Sequence, residues 1–128
     1  MEILDQLKFD SNGLIVAIVQ DDDSNEVLMV AYMNREAVQK TLVGDLACFW
    51  SRSRQKFWIK GETSGHMQMV RSVSMDCDGD ALLVKVKQEG GACHEGYRSC
   101  FFREIGSSGG QTTVISEKVF EPDQVYTL

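Results

Sequence analysis

The sequence predicts an α+β fold, built mostly of antiparallel β-strands with one or two short helices. Runs of β-branched and apolar residues recur along the chain, and glycine, asparagine, aspartate or serine bounds most of them, as in strands joined by turns. One stretch combines helical spacing with a capping residue. At 128 residues, 43% of them hydrophobic, the chain is long enough for one domain with its own core. We therefore expect a single domain over residues 1 to 128, with a C-terminal tail from about residue 106.

The first part of the chain predicts a hairpin followed by a helix. After a short amphipathic lead-in, residues 14 to 20 are apolar on both faces and predict a buried strand. The aspartate-rich run at 21 to 25 predicts a turn, which we expect to be a plain solvated loop, and residues 26 to 33 form the return strand. Asn34 is a suitable N-cap for a short helix that Gly44 ends.

The second part predicts more strands, separated by polar and glycine-containing segments. The expected strands lie at residues 46 to 51, 67 to 75, 81 to 88 and 98 to 104. Cys48, in the first of these strands, is surrounded by apolar and aromatic residues, so we expect it to be a thiol of the core. Residues 106 to 111 are rich in glycine and serine and predict a flexible linker. The remainder is expected to be a last strand or an extended tail.

The overall charge limits the classes of partner. A formal net charge of −6 argues against non-specific binding of nucleic acid or of anionic membranes, although a local basic pocket can still bind a phosphate. The N-terminus lacks the pattern of a signal peptide, and no apolar stretch approaches the ~18 residues of a membrane span. We expect a cytoplasmic protein with reduced cysteines, and in that compartment four cysteines favour metal binding or catalysis over disulfides.

An aspartate-rich run is the first candidate metal site. Asp76, Asp78 and Asp80 place three carboxylates within five positions, where they repel one another unless a cation is present. Carboxylate oxygens suit a hard ion such as magnesium. If the run is extended, the three aspartates share one face and Cys77 lies on the other. The alternative is a solvated turn, in which aspartate and glycine are common.

Three cysteines form the second candidate site. Cys77, Cys93 and Cys100 offer soft thiolate ligands for zinc and leave a tetrahedral ion one ligand short, as in a catalytic site that keeps a position for water. His94 directly follows Cys93, so ligation of one ion by both side chains would be awkward, and His94 is a candidate base or acid instead. The alternative is a set of buried, inert thiols.

The basic stretch at residues 51 to 66 is the candidate substrate-binding segment in this acidic chain. Arginine pairs bind phosphate through two parallel hydrogen bonds, and serine hydroxyls and glycine-rich backbone can complete the binding site. We expect contacts to a phosphate and a ribose from Arg52, Arg54, Lys60 and Ser64. The alternative is a solvated basic hairpin.

Taken together, these segments resemble phosphoribosyl-AMP cyclohydrolase, an enzyme family of histidine biosynthesis. The two metal motifs that carry the resemblance are Asp-Cys-Asp-Gly-Asp at 76 to 80 and Gly-Ala-Cys-His-Glu-Gly-Tyr-Arg-Ser-Cys-Phe at 91 to 101. Three blocks precede them in the family's order: Val-Leu-Met-Val-Ala-Tyr-Met-Asn at 27 to 34, Ser-Arg-Ser-Arg at 51 to 54, and Trp-Ile-Lys-Gly-Glu-Thr-Ser-Gly at 58 to 65. Several specific blocks in one order are stronger than any one of them.

The resemblance covers about residues 13 to 105 and implies a function. It implies hydrolytic opening of the adenine ring of phosphoribosyl-AMP, in which water activated by zinc attacks C6 and the N1–C6 bond breaks. The three thiols would hold the zinc, and the three aspartates would hold magnesium, which orients the substrate and offsets its negative charge. His94 would take the proton of the water and return it to the ring nitrogen. The resemblance also implies an intertwined homodimer with active sites shared between subunits.

Two alternative functions belong to other classes. A zinc-dependent purine deaminase also attacks a purine carbon with activated water, but its His-x-Glu and Pro-Cys-x-x-Cys pattern is absent from this sequence. A non-catalytic zinc-binding module would close its metal with four protein ligands, whereas the candidate set has three. The sequence therefore favours the cyclohydrolase over both.

Overall fold

The structure, a computed structural model, describes residues 1 to 125. Its elements in chain order are α1 (Glu2–Gln6), β1 (Leu14–Asp21), β2 (Val27–Asn34), α2 (Arg35–Val43), β3 (Cys48–Ser51), β4 (Lys56–Ile59), β5 (Gln68–Met75), β6 (Ala81–Gln88), β7 (Arg103–Ile105), β8 (Thr112–Val114) and α3 (Pro122–Val125). The predicted α+β class is confirmed. No helix within residues 1 to 125 is long and apolar enough to cross a membrane. The end of the predicted tail, residues 126 to 128, lies outside the described part of the chain.

The main sheet has four strands in the order β2-β1-β6-β5. The β1–β2 and β5–β6 hairpins are antiparallel, and the central strands β1 and β6 join them in parallel. A two-stranded hairpin, β3–β4, packs beside this sheet, and β7–β8 forms a third, small pair. The prediction of mostly antiparallel strands therefore holds, with one parallel pair at the centre of the main sheet.

One face of the main sheet forms the core. Ile15, Ala17 and Val19 alternate along β1 and are buried, because successive residues of a strand point to opposite faces. They pack in one cluster with Val38 of α2 and Phe49 of β3. Helix α2 begins as predicted, with the Asn34 side chain accepting a hydrogen bond from the Ala37 amide at 2.9 Å.

The opposite face of the same sheet is apolar but only partly covered. Val16 and Ile18 of β1 and Leu83 of β6 are half-buried, and Val30 of the neighbouring strand is 45% exposed. The prediction of a strand buried on both faces therefore holds for one face only within this chain. A contiguous apolar face of this kind is typical of an interaction surface.

Three local predictions are wrong. Residues 98 to 102 are not a strand: the Ser99 hydroxyl donates to the Val27 carbonyl at 2.7 Å and accepts from the Phe101 amide at 3.0 Å, so a side chain replaces ladder hydrogen bonds. Residues 106 to 111 are not a linker but the turn of the β7–β8 hairpin, closed by the Gly106 amide on the Gln111 carbonyl.

The third error concerns the aspartate run after β1. Asp21 is not part of a solvated loop, because its side chain is only 3% exposed and forms an ion pair with Arg98 at 2.8 Å. Burial raises the pKa of Asp21, but hydrogen bonds from Ser24 and Gln88 and the charge of Arg98 together hold it below its ordinary value. Asp22 and Asp23 are exposed as expected.

A buried hydroxyl joins α2 to β3. The Thr41 Oγ1 atom accepts from the Cys48 amide at 3.0 Å and donates to the Cys48 carbonyl at 3.1 Å. We expect Thr41→Val to lower the free energy of unfolding by about 1–3 kcal/mol for each Cys48 group left without a partner. Thr41→Ser keeps the hydroxyl and should lose only about 0.5–1.5 kcal/mol for the missing methyl group. Urea unfolding of both variants measures the difference, and a loss in Thr41→Val no larger than that in Thr41→Ser would contradict the expected contribution of the hydroxyl.

Candidate active site

Four of the residues proposed from the sequence line one cleft. The cleft encloses about 450 Å³ between the β3–β4 hairpin, the loop that follows it and the tip of the segment after β6. The four predicted residues at its wall are Arg54, Lys60, Ser64 and His94. Two nearby residues that were not among the predicted substrate contacts, Lys56 and Trp58, also line it. Their signal was available in the sequence, because residues 56, 58 and 60 alternate and so share one side of an extended segment.

Arg52 lies apart from this cleft. It belongs to the turn between β3 and β4, and its guanidinium lies 4.1 Å from the centre of the Tyr32 ring. There it borders a separate depression that Tyr32 and Trp50 also line. A cation over an aromatic face is a favourable contact in its own right. Within one chain, therefore, Arg52 and Arg54 do not point into a common pocket.

The loop after β4 is a compact turn that positions Ser64. Gly61 has a φ of +93°, and a Cβ at this position would lie 2.7 Å from the Met67 amide nitrogen, so a larger residue would displace the loop. The Gly65 amide closes the turn on the Gly61 carbonyl at 2.8 Å, and Ser64 Oγ accepts from the His66 amide at 3.1 Å. The Ser64 hydroxyl keeps its own proton for a further acceptor.

The segment of residues 90 to 100, called the cysteine loop below, folds into a tight turn. Its amides at Ala92 and Cys93 donate to the carbonyls of Arg98 and Tyr97 at 2.9 and 3.0 Å. His94 is exposed at the tip of this turn, where it reaches the cleft. Beyond the turn, the Cys100 amide donates to the Leu28 carbonyl at 2.7 Å, which fixes the loop to β2.

The cysteine loop brings two of the three predicted thiols together. Desolvation by the surrounding protein, and then the neighbouring Cys93 thiol, raise the pKa of Cys100 to about 11, although part of the residue is exposed. The ammonium of Lys60 lies beside the same pair, and its Nζ donates to the Ala92 carbonyl. Two adjacent thiols match part of the donor set of a thiolate-binding metal such as zinc.

Cys77 does not join this pair within one chain. It is exposed in the turn between β5 and β6, and Cys48 is buried in the core, where desolvation raises its pKa. Within residues 1 to 125, no three His, Cys, Asp or Glu side chains come together closely enough to hold a metal ion. The structure thus confirms Cys48 as a core thiol and brings together only Cys93 and Cys100 of the three proposed zinc ligands.

The aspartate run is a turn, the alternative stated from the sequence, so the condition for the alternation of Cys77 with the three aspartates is not met. Asp76 accepts hydrogen bonds from the amides of Asp80 and Ala81 at 3.0 and 3.3 Å, which bends the chain between β5 and β6. The lead-in braces this turn, since the Lys8 amide donates to the Gly79 carbonyl at 2.7 Å. The hydrogen bond with Asp76, and then its negative charge, raise the pKa of Asp80. Asp76 and Asp80 therefore meet in this turn, and carboxylates in contact are chemically suited to a divalent cation. Within residues 1 to 125, however, the three aspartates do not converge into one set of metal ligands.

Comparison with known proteins agrees with these features. A profile of the family described as phosphoribosyl-AMP cyclohydrolase matches residues 29–102. A phosphoribosyl-AMP cyclohydrolase from Methanococcoides burtonii is 59% identical over 123 residues, covering 96% of this chain and 98% of the relative. One from Chlorobium chlorochromatii is 55% identical, covering 98% of this chain and 90% of the relative, and one from Methanosarcina mazei is 59% identical, covering 94% and 95%. The chain therefore belongs to the phosphoribosyl-AMP cyclohydrolase family of enzymes.

Proposed function

We propose that this chain hydrolyses the N1–C6 bond of the adenine ring of phosphoribosyl-AMP, a step of histidine biosynthesis in the cytoplasm. The observation that carries the proposal is the convergence of Arg54, Lys60, Ser64 and His94 on one cleft beside the Cys93 and Cys100 thiols. Water adds its oxygen to C6 and the C6–N1 bond breaks, so that C6 becomes a carboxamide carbon. One proton of the water ends on N1 and the other on the exocyclic nitrogen of C6.

The basic wall of the cleft would bind the phosphate and ribose groups. Arg54 can donate two parallel hydrogen bonds to a phosphate, and Ser64 can donate one from its hydroxyl. One donor of Lys60 is used by the Ala92 carbonyl, so its remaining donors are available to substrate. This local positive charge would allow a chain of net charge −6 to bind an anionic substrate.

His94 is proposed as the residue that moves the proton. Its ring is exposed at the tip of the cysteine loop and borders the cleft. An imidazole can accept a proton from the attacking water and return it to the departing nitrogen near neutral pH. Both steps use one group because the proton that leaves the water is the one that N1 needs.

We propose that zinc is held by Cys77, Cys93 and Cys100, and magnesium by Asp76, Asp78 and Asp80. A zinc ion held by these three thiolates would supply a Lewis acid that makes water a better nucleophile near neutral pH. The close contact of Cys93 with Cys100 supports the zinc assignment. The crowding of three carboxylates in one exposed turn supports a need for a cation there, because a divalent ion offsets their mutual repulsion.

We further propose that the active unit is an intertwined homodimer, in which the third thiol of each zinc site comes from Cys77 of the partner subunit. The separation of Cys77 from the other two thiols within one chain supports this arrangement. The half-covered apolar face that carries Val16, Ile18 and Leu83 offers a surface for a second copy. Arg52, which lies apart from the cleft of its own chain, would be a substrate contact only if a second copy brings it to a site.

Both alternative functions are less well supported. Membership of an enzyme family disfavours a non-catalytic zinc module. A purine deaminase would attack the same carbon but would release ammonia and leave the ring closed, so the product separates the two reactions.

The first prediction concerns the reaction and His94. The purified protein should open the ring of phosphoribosyl-AMP without releasing ammonia, which absorbance and an ammonia assay follow together. His94→Ala should keep its zinc and lower kcat by ~10²–10⁴-fold, the usual contribution of general acid–base catalysis. Glu95→Gln, its exposed neighbour, is the matched control and should retain most activity. Loss of zinc in His94→Ala would make His94 a ligand instead of a proton carrier.

The second prediction concerns the zinc ligands. Cys77→Ser, Cys93→Ser and Cys100→Ser should each lose zinc and activity together, because serine does not provide a thiolate. Cys48→Ser should keep zinc, since Cys48 is a core thiol, and serves as the control. Metal analysis of the purified variants measures the outcome, and full zinc content in Cys93→Ser would contradict the assignment.

The origin of the third ligand can be tested by mixing subunits. Co-expressed Cys77→Ser and Cys93→Ser chains should regain zinc and activity in mixed dimers. One of the two sites would then combine an intact Cys77 with an intact Cys93 and Cys100 pair. If all three ligands came from one subunit, no mixed dimer would contain a complete site and nothing would be regained.

The third prediction compares the two arginines of the basic hairpin. Arg54→Ala should lower kcat/KM by about 10–100-fold, because a charge-assisted hydrogen bond contributes about 1.5–3 kcal/mol. Arg52→Ala should have a smaller effect, since its guanidinium packs on Tyr32 outside the cleft. Steady-state kinetics of both variants gives the comparison. An effect of Arg52→Ala larger than that of Arg54→Ala would place the phosphate at the other side of the hairpin.

A further inference from the structure

The ion pair between Asp21 and Arg98 connects the cysteine loop to the centre of the main sheet. Asp21 is the last residue of β1 and is 2% exposed, and Arg98 lies 77 positions later, between Cys93 and Cys100. Their side chains meet at 2.8 Å. A buried carboxylate is unfavourable unless it is paired and hydrogen-bonded, so this contact constrains both segments.

Both oxygens of the Asp21 carboxylate have partners. Oδ2 accepts from the amide and the hydroxyl of Ser24, each at 2.9 Å, which shapes the β1–β2 turn. Oδ1 accepts hydrogen bonds from the backbone amide of Gln88 at 3.4 Å and from the guanidinium of Arg98. The carboxylate is thus held in place by the hairpin on one side and by the end of β6 on the other. The Oδ1 atom remains able to accept the hydrogen bond from Arg98.

The guanidinium of Arg98 joins the two ends of the cysteine loop. Besides Asp21, it contacts the Glu26 carboxylate at 3.3 Å and donates to the Gly90 carbonyl, at the start of the loop, at 3.4 Å. The Arg98 carbonyl accepts the Ala92 amide within the loop. One residue therefore fixes where the loop leaves the sheet and where it returns to it. Cys93 lies within the segment that Arg98 closes, and Cys100 follows Arg98 by two residues.

We infer that Asp21, acting through Arg98, is a positioning residue that holds Cys93 and Cys100 at the separation needed for joint metal binding. The metal-binding role of this positioning rests on the proposed zinc function, whereas the contacts of Arg98 that constrain the loop are present without metal. Asp21 touches neither thiol and no substrate-binding residue. Its effect on the thiols passes through the guanidinium and the loop backbone.

Asp21→Asn is the direct test. The change keeps the size of the side chain and leaves one oxygen for the Ser24 turn, but it places an amide where Arg98 needs an acceptor. Asp22→Asn is the matched control, because Asp22 is an exposed aspartate of the same turn. Arg98→Lys keeps the positive charge but cannot reach Asp21, Glu26 and Gly90 at once, and it serves as the second variant if Asp21→Asn does not fold.

The first readout is amide hydrogen exchange of the full-length protein after zinc has been removed with a chelator. In Asp21→Asn and Arg98→Lys, the amides of Ala92, Cys93 and Cys100 should exchange about 10-fold faster or more, while the amides that pair β1 with β6 keep their rates. A merely structural role for Asp21 would raise exchange throughout the sheet as well. Asp22→Asn should change neither group.

The second readout is the dissociation constant for zinc, measured by competition with a chelating dye. It should rise about 10–100-fold in Asp21→Asn, the usual effect of losing a residue that supports metal ligands, and stay unchanged in Asp22→Asn. In the double variant Asp21→Asn/Arg98→Lys, the dissociation constant for zinc should rise little beyond that of the more affected single variant, because both changes act on one contact.

Unchanged loop exchange in Asp21→Asn, or in Arg98→Lys if the first variant does not fold, would overturn the inference. An equal rise in the exchange rates of the loop amides in Asp22→Asn would also overturn it. If the unaltered protein binds no zinc, the proposed zinc site fails, and the exchange experiment alone still decides whether Asp21 positions the loop.

Discussion

The parallel pairing of β1 with β6 is the constraint on which the rest of the architecture depends. It sets Val16 opposite Ala81 and Asp21 opposite Val86, although some 65 residues separate the two strands along the chain. Two local hairpins thereby become one sheet with a common buried face. The pairing also brings the end of β1 beside the end of β6, where the cysteine loop begins. The Asp22 amide continues this pairing with a hydrogen bond to the Val86 carbonyl at 2.8 Å.

The candidate site is assembled from loops that this sheet holds in place. The β3–β4 hairpin contributes Arg54, the compact loop after it contributes Ser64, and the cysteine loop contributes His94. Loops commonly carry functional residues because a rigid scaffold can position them while their sequences remain free to vary. Lys60 links two of these segments, since it follows β4 and its ammonium contacts the Ala92 carbonyl in the cysteine loop. The cleft is therefore a tertiary feature, with contributions from segments more than 30 residues apart.

The cysteine loop is supported at its base, along its backbone and by the C-terminal segment. Arg98 ties its base to Asp21, the Cys100 amide ties it to β2, and the amides of Val119 and Phe120 both donate to the Gly96 carbonyl. Gly96 has a φ of +103°, and a Cβ there would lie 2.6 Å from the Phe120 carbonyl oxygen, so glycine is needed for this close approach. A loop supported in this way can hold two thiols close together.

The sequence by itself determined the strands of the main sheet, the Asn34 cap and the buried position of Cys48, because alternation, capping and apolar surroundings act over a few residues. Its motif blocks also identified the family. Only the tertiary structure decided that Asp21 is a buried partner of Arg98 and that Arg54 but not Arg52 faces the cleft. The physical reason is the same in each case. The free energy of these side chains depends on partners that lie far away in the sequence, and a local pattern contains no information about which distant residue will arrive beside it.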